Sequence, residues 1–417
     1  MKAVVFTLGC KVNGVESASI LRGLQERGWE VSDELEPADL YILNTCAVTA
    51  EAEKKSRQAI ARIRAVSPHA RIAVCGCAAE RTPEVFAKRE GVFLVTGARQ
   101  KGEILDFLDF ACTGVRLDES DRSYDEMLPP VHLKTRAFVK IQDGCNNFCS
   151  YCIIPYLRGR SRSRTLASAV EEILSSPAEE VVITGIDVSS YMDGEKDLAD
   201  LLLAVKDAKC RIRLGSLEAG VITPRLLQAA KQVADFAPHF HLSLQSGSDA
   251  VLRKMNRHYT GEEFLARVAL IREYFPNAAV TTDIIVGFPT ETEEDFQATL
   301  SLARRAEFSQ IHCFAYSRRT GTAAAKLAEL PPQVKRDRLH RLMQLGAQLR
   351  AAYDEKFVGK VLELVPEERK DGYTVGYSEN YIRLYLEKEA DSRCLVRALR
   401  PYADGLLAER AEESGKE

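Results

Sequence analysis

Apolar positions along the chain follow two rhythms that alternate with each other. Short apolar runs at Ala3–Leu8, Leu40–Leu43, Ile72–Val74 and Val92–Val95 read as strands, and each precedes a helix-like segment. In the first of these segments, Val15–Arg27, residues Val15, Ala18, Leu21 and Leu24 recur at helical spacing. The alternation predicts a parallel α/β sheet over residues 1–113. Residues 114–133 are acidic and polar, contain Pro129-Pro130, and read as a linker. From Ala137 the alternation restarts, with strands predicted at 137–142, 180–185, 211–217, 239–244, 279–286 and 309–316. Thr290 and Glu293 are placed to form a capping box ahead of Phe296, Leu300 and Ala303. Six βα units predict a (βα)6 partial barrel within residues 134–352.

After Pro331-Pro332 the pattern becomes one long helix. Short strands then fall near 359–366, 372–377, 380–386 and 392–399, with Gly359, Gly372 and Gly376 among them. Residues 353–417 therefore predict a small β-barrel. The fold class is α/β with this all-β addition.

Composition narrows the class. With 417 residues, 46% hydrophobic and 28% charged, the chain is sized for two or three globular domains. No apolar stretch reaches membrane-spanning length, and the start, Met1-Lys2-Ala3-Val4-Val5-Phe6, runs directly into a strand. A cytoplasmic location without membrane attachment is the expectation. The net charge of −3 carries no global nucleic-acid signature, so any RNA contact needs a local basic patch. Eleven cysteines in such a chain point to metal or catalytic use rather than disulfides.

Two cysteine constellations stand out. Cys145-Asn146-Asn147-Phe148-Cys149-Ser150-Tyr151-Cys152 directly follows the first barrel strand, where such folds place their chemistry. Three thiolates on one short loop bind three irons of a cubane and leave the fourth iron open to chelate a ligand. Zinc is the competing occupant, although it normally takes four ligands and pairs of the C-x2-C type. In the second constellation Cys10, Cys46 and Cys77 each follow one of the first three strands. Loops after parallel strands gather at one sheet edge, so these three should converge around a second cluster. The competing reading is three core cysteines. Cys75 rivals Cys77, but ends a strand and should point into packing. Cys112, Cys210, Cys313 and Cys394 lie in apolar settings and read as core residues.

Three basic groups are candidate anion sites. Arg158, Arg160, Arg162 and Arg164 alternate after the cysteine loop, close to where a ligand carboxylate or an RNA phosphate would lie. Lys335, Arg336, Arg338, Arg341 and Arg350 share the long helix, against Asp337. The tail from Tyr353 holds 11 Lys/Arg against 15 Asp/Glu, so an RNA contact there would need a patch such as Arg383, Arg393, Arg397 and Arg400.

These motifs together resemble the radical S-adenosylmethionine (SAM) methylthiotransferases, over nearly the whole chain. Thr7-Leu8-Gly9-Cys10-Lys11-Val12-Asn13, Asn44-Thr45-Cys46 and Gly76-Cys77 are similar to that family's amino-terminal cluster motifs. Asp143-Gly144-Cys145 through Cys152-Ile153-Ile154-Pro155, with Arg158-Gly159 and Ser163-Arg164, resemble its radical SAM signature. Further similarities are Ser243-Leu244-Gln245-Ser246-Gly247, Met255-Asn256-Arg257 and Ile285 through Glu291. The tail resembles a TRAM domain, the family's RNA- or substrate-binding module. Ala78-Ala79-Glu80 departs from the glutamine-ending stretch commoner after the third cysteine.

The resemblance implies two [4Fe–4S] clusters, held by Cys10, Cys46 and Cys77 and by Cys145, Cys149 and Cys152. It implies one SAM giving a methyl group to sulfur at the first cluster and another cleaved at the second to start radical chemistry. Thr184, Gly185, Asp187, Glu218, Gln245, Ile285 and Gly287 match segments that line the SAM pocket in such barrels. Implied partners are a tRNA anticodon loop and a low-potential electron donor such as a flavodoxin or ferredoxin; the sulfur donor stays unknown. Lys11-Val12-Asn13-Gly14-Val15-Glu16 resembles the subgroup acting on N6-threonylcarbamoyladenosine. Asn147-Phe148-Cys149 and Tyr316 through Thr322 point the same way. The isopentenyladenosine subgroup favours Gln-Met-Asn at that first motif, and a third subgroup modifies a ribosomal protein aspartate. A non-catalytic RNA-binding protein with structural metal sites is the alternative from another class.

Overall fold

A computed structural model describes residues 1–99, 101–118, 123–130 and 135–411. Three sheet-based units follow one another along the chain. The first is a six-stranded parallel sheet in which Lys2–Thr7, Leu40–Thr45 and Arg71–Gly76 are adjacent, in that order. Leu40–Thr45 is buried along its whole length, as expected for a strand covered on both faces by helices. The helix Lys11–Glu26 packs on one face, burying Val12, Val15, Ile20, Leu21 and Leu24.

Two edge strands, Glu30–Ser32 and Gly114–Arg116, escape the apolar pattern because each has three residues and little apolar content. Gly114–Arg116 lies inside the stretch 114–133 read as a linker, and it pairs with Val92–Thr96. The rest of that stretch is tied down as far as it is described. Tyr124 Oη donates to Lys140 O at 2.8 Å, and Asp125 accepts from Gly102 N at 3.1 Å. Residues 119–122 and 131–134 lie outside the described residues.

The second unit is built on Arg136–Asp143, Glu180–Gly185, Arg211–Leu214 continuing as Ser216–Leu217, His239–Gln245, Ala279–Val286 and Gln310–Ala315. Successive members pair in parallel within two four-stranded sheets, and the third strand passes from one sheet to the other at Gly215. First and last strands do not pair, so the barrel is partial, as the six βα units predict. The helix before the last strand, Glu293–Ala306, starts two residues later than the sequence suggests. Its capping box is Thr292 with Asp295, whereas Thr290 sits at φ 77° and accepts from Lys254 Nζ.

The third unit is a closed barrel of Val361–Lys370, Tyr373–Tyr377, Arg383–Leu386, Gly405–Arg410 and Cys394–Tyr402, in that spatial order. Gly405–Arg410, not anticipated, closes it by pairing with both Arg383–Leu386 and Cys394–Tyr402. Its helical support is the long helix Pro332–Glu355.

Buried charge fastens this barrel to the first end of the partial barrel. Glu180, 0% exposed, receives Arg136 Nε at 2.5 Å and Arg213 Nη2 at 2.7 Å. Arg213 also reaches Ser378 O at 3.0 Å, and Arg136 pairs with Glu367. Burial alone would raise the Glu180 carboxyl, but Arg213 and Arg136 outweigh it and bring it down to about 2. Glu180→Gln should therefore cost about 3–5 kcal/mol, because the buried Arg136, Arg213 and Arg211 (3.7 Å away) lose their shared partner. The wild-type advantage should be complete above pH 4.5 and vanish as pH falls toward 2. Thermal unfolding of both proteins across that range checks this, and parallel pH curves would refute it.

Candidate active site

Each cysteine of the first trio stands at the carboxyl end of one of three adjacent strands, about 5 Å apart in the sheet. Cys10 is the N-cap of Lys11–Glu26, Cys46 follows Leu40–Thr45, and Cys77 opens the short helix Cys77–Arg81. Polar side chains stitch these loops together. Asn13 Nδ2 donates to Leu8 O and Thr45 O at 2.9 and 3.0 Å. Asn44 Nδ2 donates to Asn13 O at 3.1 Å, and Thr45 Oγ1 donates to Cys75 O while accepting from Ala79 N. Gly9, at φ 109°, leaves no room for a side chain, since a Cβ there would meet Cys46 Sγ at 2.7 Å. Cys75 is wholly buried in the packing on the opposite face, where burial pushes its thiol up to about 12.

The second trio follows Arg136–Asp143 on a loop held from several sides. Gln142 Nε2 donates to Gly144 O at 2.7 Å, and its Oε1 accepts from Asp187 N at 2.7 Å. Gly144 lies at φ 69° against Arg160, whose carbonyl oxygen would be 2.0 Å from any Cβ. Asn256 Nδ2 donates to Asn147 O and Phe148 O, bracing the loop where Phe148 adopts φ 46°. Arg257 Nη1 points at Cys149 Sγ (3.4 Å) and is paired with Glu218. Burial pushes the Cys145 and Cys152 thiols up to about 12.

All six cysteines line one cavity of about 700 Å³. Thr184, Gly185, Asp187, Glu218 and Gln245 line it too. Ile285 and Gly287 do not: Ile285 packs against the cluster around Phe288, and Gly287 N donates to Glu291 at 2.7 Å. The sequence offers little warning of several other lining residues. His241, Asp283 and His312 bring potential ligand atoms within 4.8 Å of one another halfway along the barrel strands. At the far end Lys11, Arg136, Arg213, His239 and Tyr381 complete the wall. Burial, then Arg136 and Arg213, hold the Lys11 ammonium below its usual range.

The arginines sort differently from expectation. Arg158 and Arg164 are buried structural cations: Arg158 bonds Glu16, Asp143 and Asn13, and Arg164 bonds Glu126 and Glu172. Arg160 is exposed, 4.7 Å above the Phe148 ring, and Arg162 is half-buried. On the long helix Arg338 is buried against Glu291, Arg341 pairs with Glu293 and Asp337, and Lys335 pairs with Glu329. Helix-face cations already neutralised within the chain make a poor phosphate face. In the tail Arg393 pairs with Asp235 and Glu363, and Arg383 with Asp404 and Glu368, which leaves Arg397 and Arg400 on the surface.

Comparison with known proteins agrees with this geometry. Residues 139–303 match the Radical SAM superfamily, and residues 2–97 match the Uncharacterized protein family UPF0004. The threonylcarbamoyladenosine tRNA methylthiotransferase MtaB of Bacillus subtilis is 36% identical, over 99% of this chain and 98% of that one. The chain belongs to the radical SAM methylthiotransferase family. The tRNA-2-methylthio-N(6)-dimethylallyladenosine synthase of Syntrophomonas wolfei is 38% identical, over 88% of this chain and 86% of its own length. Among solved structures, the radical SAM methyltransferase TsrM of Kitasatospora setae shares the fold, with a TM-score of 0.57 and 17% identity over 78% of this chain and 77% of that one.

Membership of a radical SAM family implies SAM and a [4Fe–4S] cluster. The donor set on the loop Cys145–Cys152 suits such a cluster, since three thiols face one cavity and none is engaged in a disulfide. Between the two trios lies a buried ion network. Glu16 meets Lys101, Lys140 (2.7 Å) and Arg158 (2.9 Å), and Asp143 meets Lys140 (2.7 Å) and Arg158 (2.9 Å). Burial would raise Glu16 and Asp143, but Arg158 reverses it, holding Glu16 well below its usual range and Asp143 at about 2. Three cations face two carboxylates; burial pushes the Cys77 thiol up, and the nearby Arg158 charge opposes that rise. Arg158→Met should cost about 3–5 kcal/mol by stranding buried carboxylates. It should also speed hydrogen exchange in Lys11–Glu26 and Arg136–Asp143, with Arg158→Lys intermediate; unchanged exchange in both segments would count against the coupling.

Proposed function

We propose that the protein is a tRNA methylthiotransferase that converts N6-threonylcarbamoyladenosine at A37, next to the anticodon, to its 2-methylthio derivative. The observation that carries this reading is the convergence of two cysteine trios on one cavity. In this reading Cys10, Cys46 and Cys77 hold one [4Fe–4S] cluster, and Cys145, Cys149 and Cys152 hold the other. Together with SAM these groups supply the methylthio group and the radical chemistry needed at an unactivated C–H bond.

The protein's own residues position and enclose. Thr184, Gly185, Asp187, Glu218 and Gln245 are set to hold SAM along the cavity wall, and Arg257 fixes Glu218 for that task. Cys46, Cys77 and Cys149 are buried, Cys145 and Cys152 half-buried and Cys10 exposed, so a bound substrate would complete the exclusion of bulk water from the reacting groups. A loop base suits this architecture because it can be splayed out without opening a duplex. Arg397 and Arg400, exposed on the terminal barrel, are available for phosphates. A low-potential electron donor is required as a partner.

Support for the threonylcarbamoyl substrate comes from Lys11-Val12-Asn13 with Glu16, and from relatives of that name matching nearly the full chain. The second reading, isopentenyladenosine, is kept because relatives named for the dimethylallyl nucleoside are 33–38% identical.

Anaerobic reconstitution should load about eight irons, two cubanes of four. Replacing Cys145, Cys149 and Cys152 together by Ala should remove about half of the iron. Cys77→Ala should remove the other half, and Cys75→Ser should remove none and cost only packing. Zinc in place of iron, or the reverse ranking of the two single variants, would overturn the ligand assignment.

The substrate is checked by mass spectrometry of nucleosides from cells lacking the protein. Loss of the methylthio threonylcarbamoyl nucleoside alone is the expected result. Loss of only the isopentenyl counterpart would favour the second reading.

A further inference from the structure

The far end of the cavity differs from the end where the cysteines lie. Arg136 begins its strand and Arg213 is the third residue of its own, whereas Cys145 follows the last residue of Arg136–Asp143. An eight-residue strand spans about 25 Å, so the cavity reaches from one end of the barrel to the other. Tyr381 lines the far end, where it stacks on His239 with ring centroids 4.2 Å apart.

Two buried guanidinium groups and the exposed ammonium of Lys11 have open donors at this end, among the described residues. Arg213 is 2% exposed and spends Nε and Nη2 on Glu180, leaving Nη1 buried without an acceptor. Arg136 Nη2 is likewise buried without an acceptor. Among the described residues, the Lys11 ammonium meets only the Phe138 ring, at 5.5 Å from its centroid. Glu180 and Glu367, which serve the two arginines, do not line the cavity. Of the carboxylates that do, Asp187 and Glu218 follow their strands at the cysteine end, and Asp283 is held 3.3 Å from His241 halfway along. A buried donor without an acceptor costs stability unless a ligand supplies one. Two such groups at one end of the cavity, with the Lys11 ammonium beside them, describe an anion site.

We infer that Lys11, Arg136 and Arg213 form a carboxylate-binding subsite that receives the threonine carboxylate of the modified adenine. This rests on the threonylcarbamoyl reading and adds to it the group that selects the substrate. A carboxylate accepts several hydrogen bonds at once and matches the guanidinium edges left open. The adenine C2 and the substituent on N6 project in different directions from the ring. A nucleotide anchored by its N6 substituent at the far end thus leaves C2 free to face the cysteines. An isopentenyl group has no acceptor and would leave the open N–H groups of Arg136 and Arg213 buried without one, a penalty that rejects it.

The test uses the reconstituted full chain and two anticodon stem-loop RNAs, one with threonylcarbamoyladenosine and one with its threonine carboxylate converted to carboxamide. Fluorescence anisotropy gives affinities, and mass spectrometry gives methylthio product. The wild type should bind the carboxylate RNA roughly 10- to 100-fold more tightly, the range of a charge-assisted contact. Lys11→Gln should shrink that preference at least fivefold, and Lys11→Arg should retain most of it. Iron content and melting temperature of both variants verify that they fold and load. A full preference in Lys11→Gln, or no preference in the wild type alongside normal product, overturns the subsite while leaving the threonylcarbamoyl reading intact. No product from the carboxylate RNA, with product from an isopentenyl RNA, overturns that reading and the subsite with it.

Discussion

The buried Arg158 guanidinium is the constraint on which the rest of this structure depends. It is 0% exposed and joins Glu16 and Asn13 of the first unit to Asp143 of the second. Asp143 immediately precedes the glycine that leads into the second cysteine trio, and Asn13 holds the loops that carry the first. One side chain therefore sets the relation between two groups of thiols far apart in sequence. A buried ion network is an expensive way to join two units, and an apolar contact of the same volume would often be more stable. What ions add is direction: two carboxylates and three cations satisfy one another in few arrangements. The surplus positive charge lies beside Cys77, where an iron-bound thiolate would balance it.

A second set of buried charges does similar work at the opposite end. Glu180 gathers Arg136, Arg211 and Arg213, and these reach onward to the terminal barrel at Glu367, Glu363 and Ser378 respectively. The third unit is thus oriented by the same strands that form the cavity wall. Tyr381 from that unit lines the cavity and stacks on His239. The terminal barrel and the cysteine-lined cavity in this way share one wall. Arg136 and Arg213 each have a structural face toward Glu180 and a second face toward the cavity.

The longer strands of the parallel sheets and the gathering of the cysteines at strand ends were legible in the sequence because both rest on local signals. Apolar runs mark the strands, and a thiol directly after a strand has few places to point. Cys77 could be told from Cys75 by position alone, since one lies inside the strand and the other just beyond it. Short edge strands such as Glu30–Ser32 and Gly114–Arg116 were not legible, because three residues carry no periodicity. The basic groups were misread for a related reason: a sequence shows how many charges lie together, and not which of them are already paired. Arg158, Arg164, Arg338 and Arg393 each turned out to be held by carboxylates distant in the chain or buried beside them.

By itself, then, the sequence determined the class of chemistry, through six cysteines at spacings that suit two three-thiol sites, and the three-part α/β plan that carries them. Only the tertiary structure decided that the trios share one cavity and that Arg158 and Glu16 set their relation. It also placed Lys11, next to Cys10 in the chain, in the same cavity wall as Arg136 and Arg213. The physical reason is that hydrophobic periodicity and ligand spacing are written along the chain. Charge pairing and desolvation depend on which distant residues burial brings together.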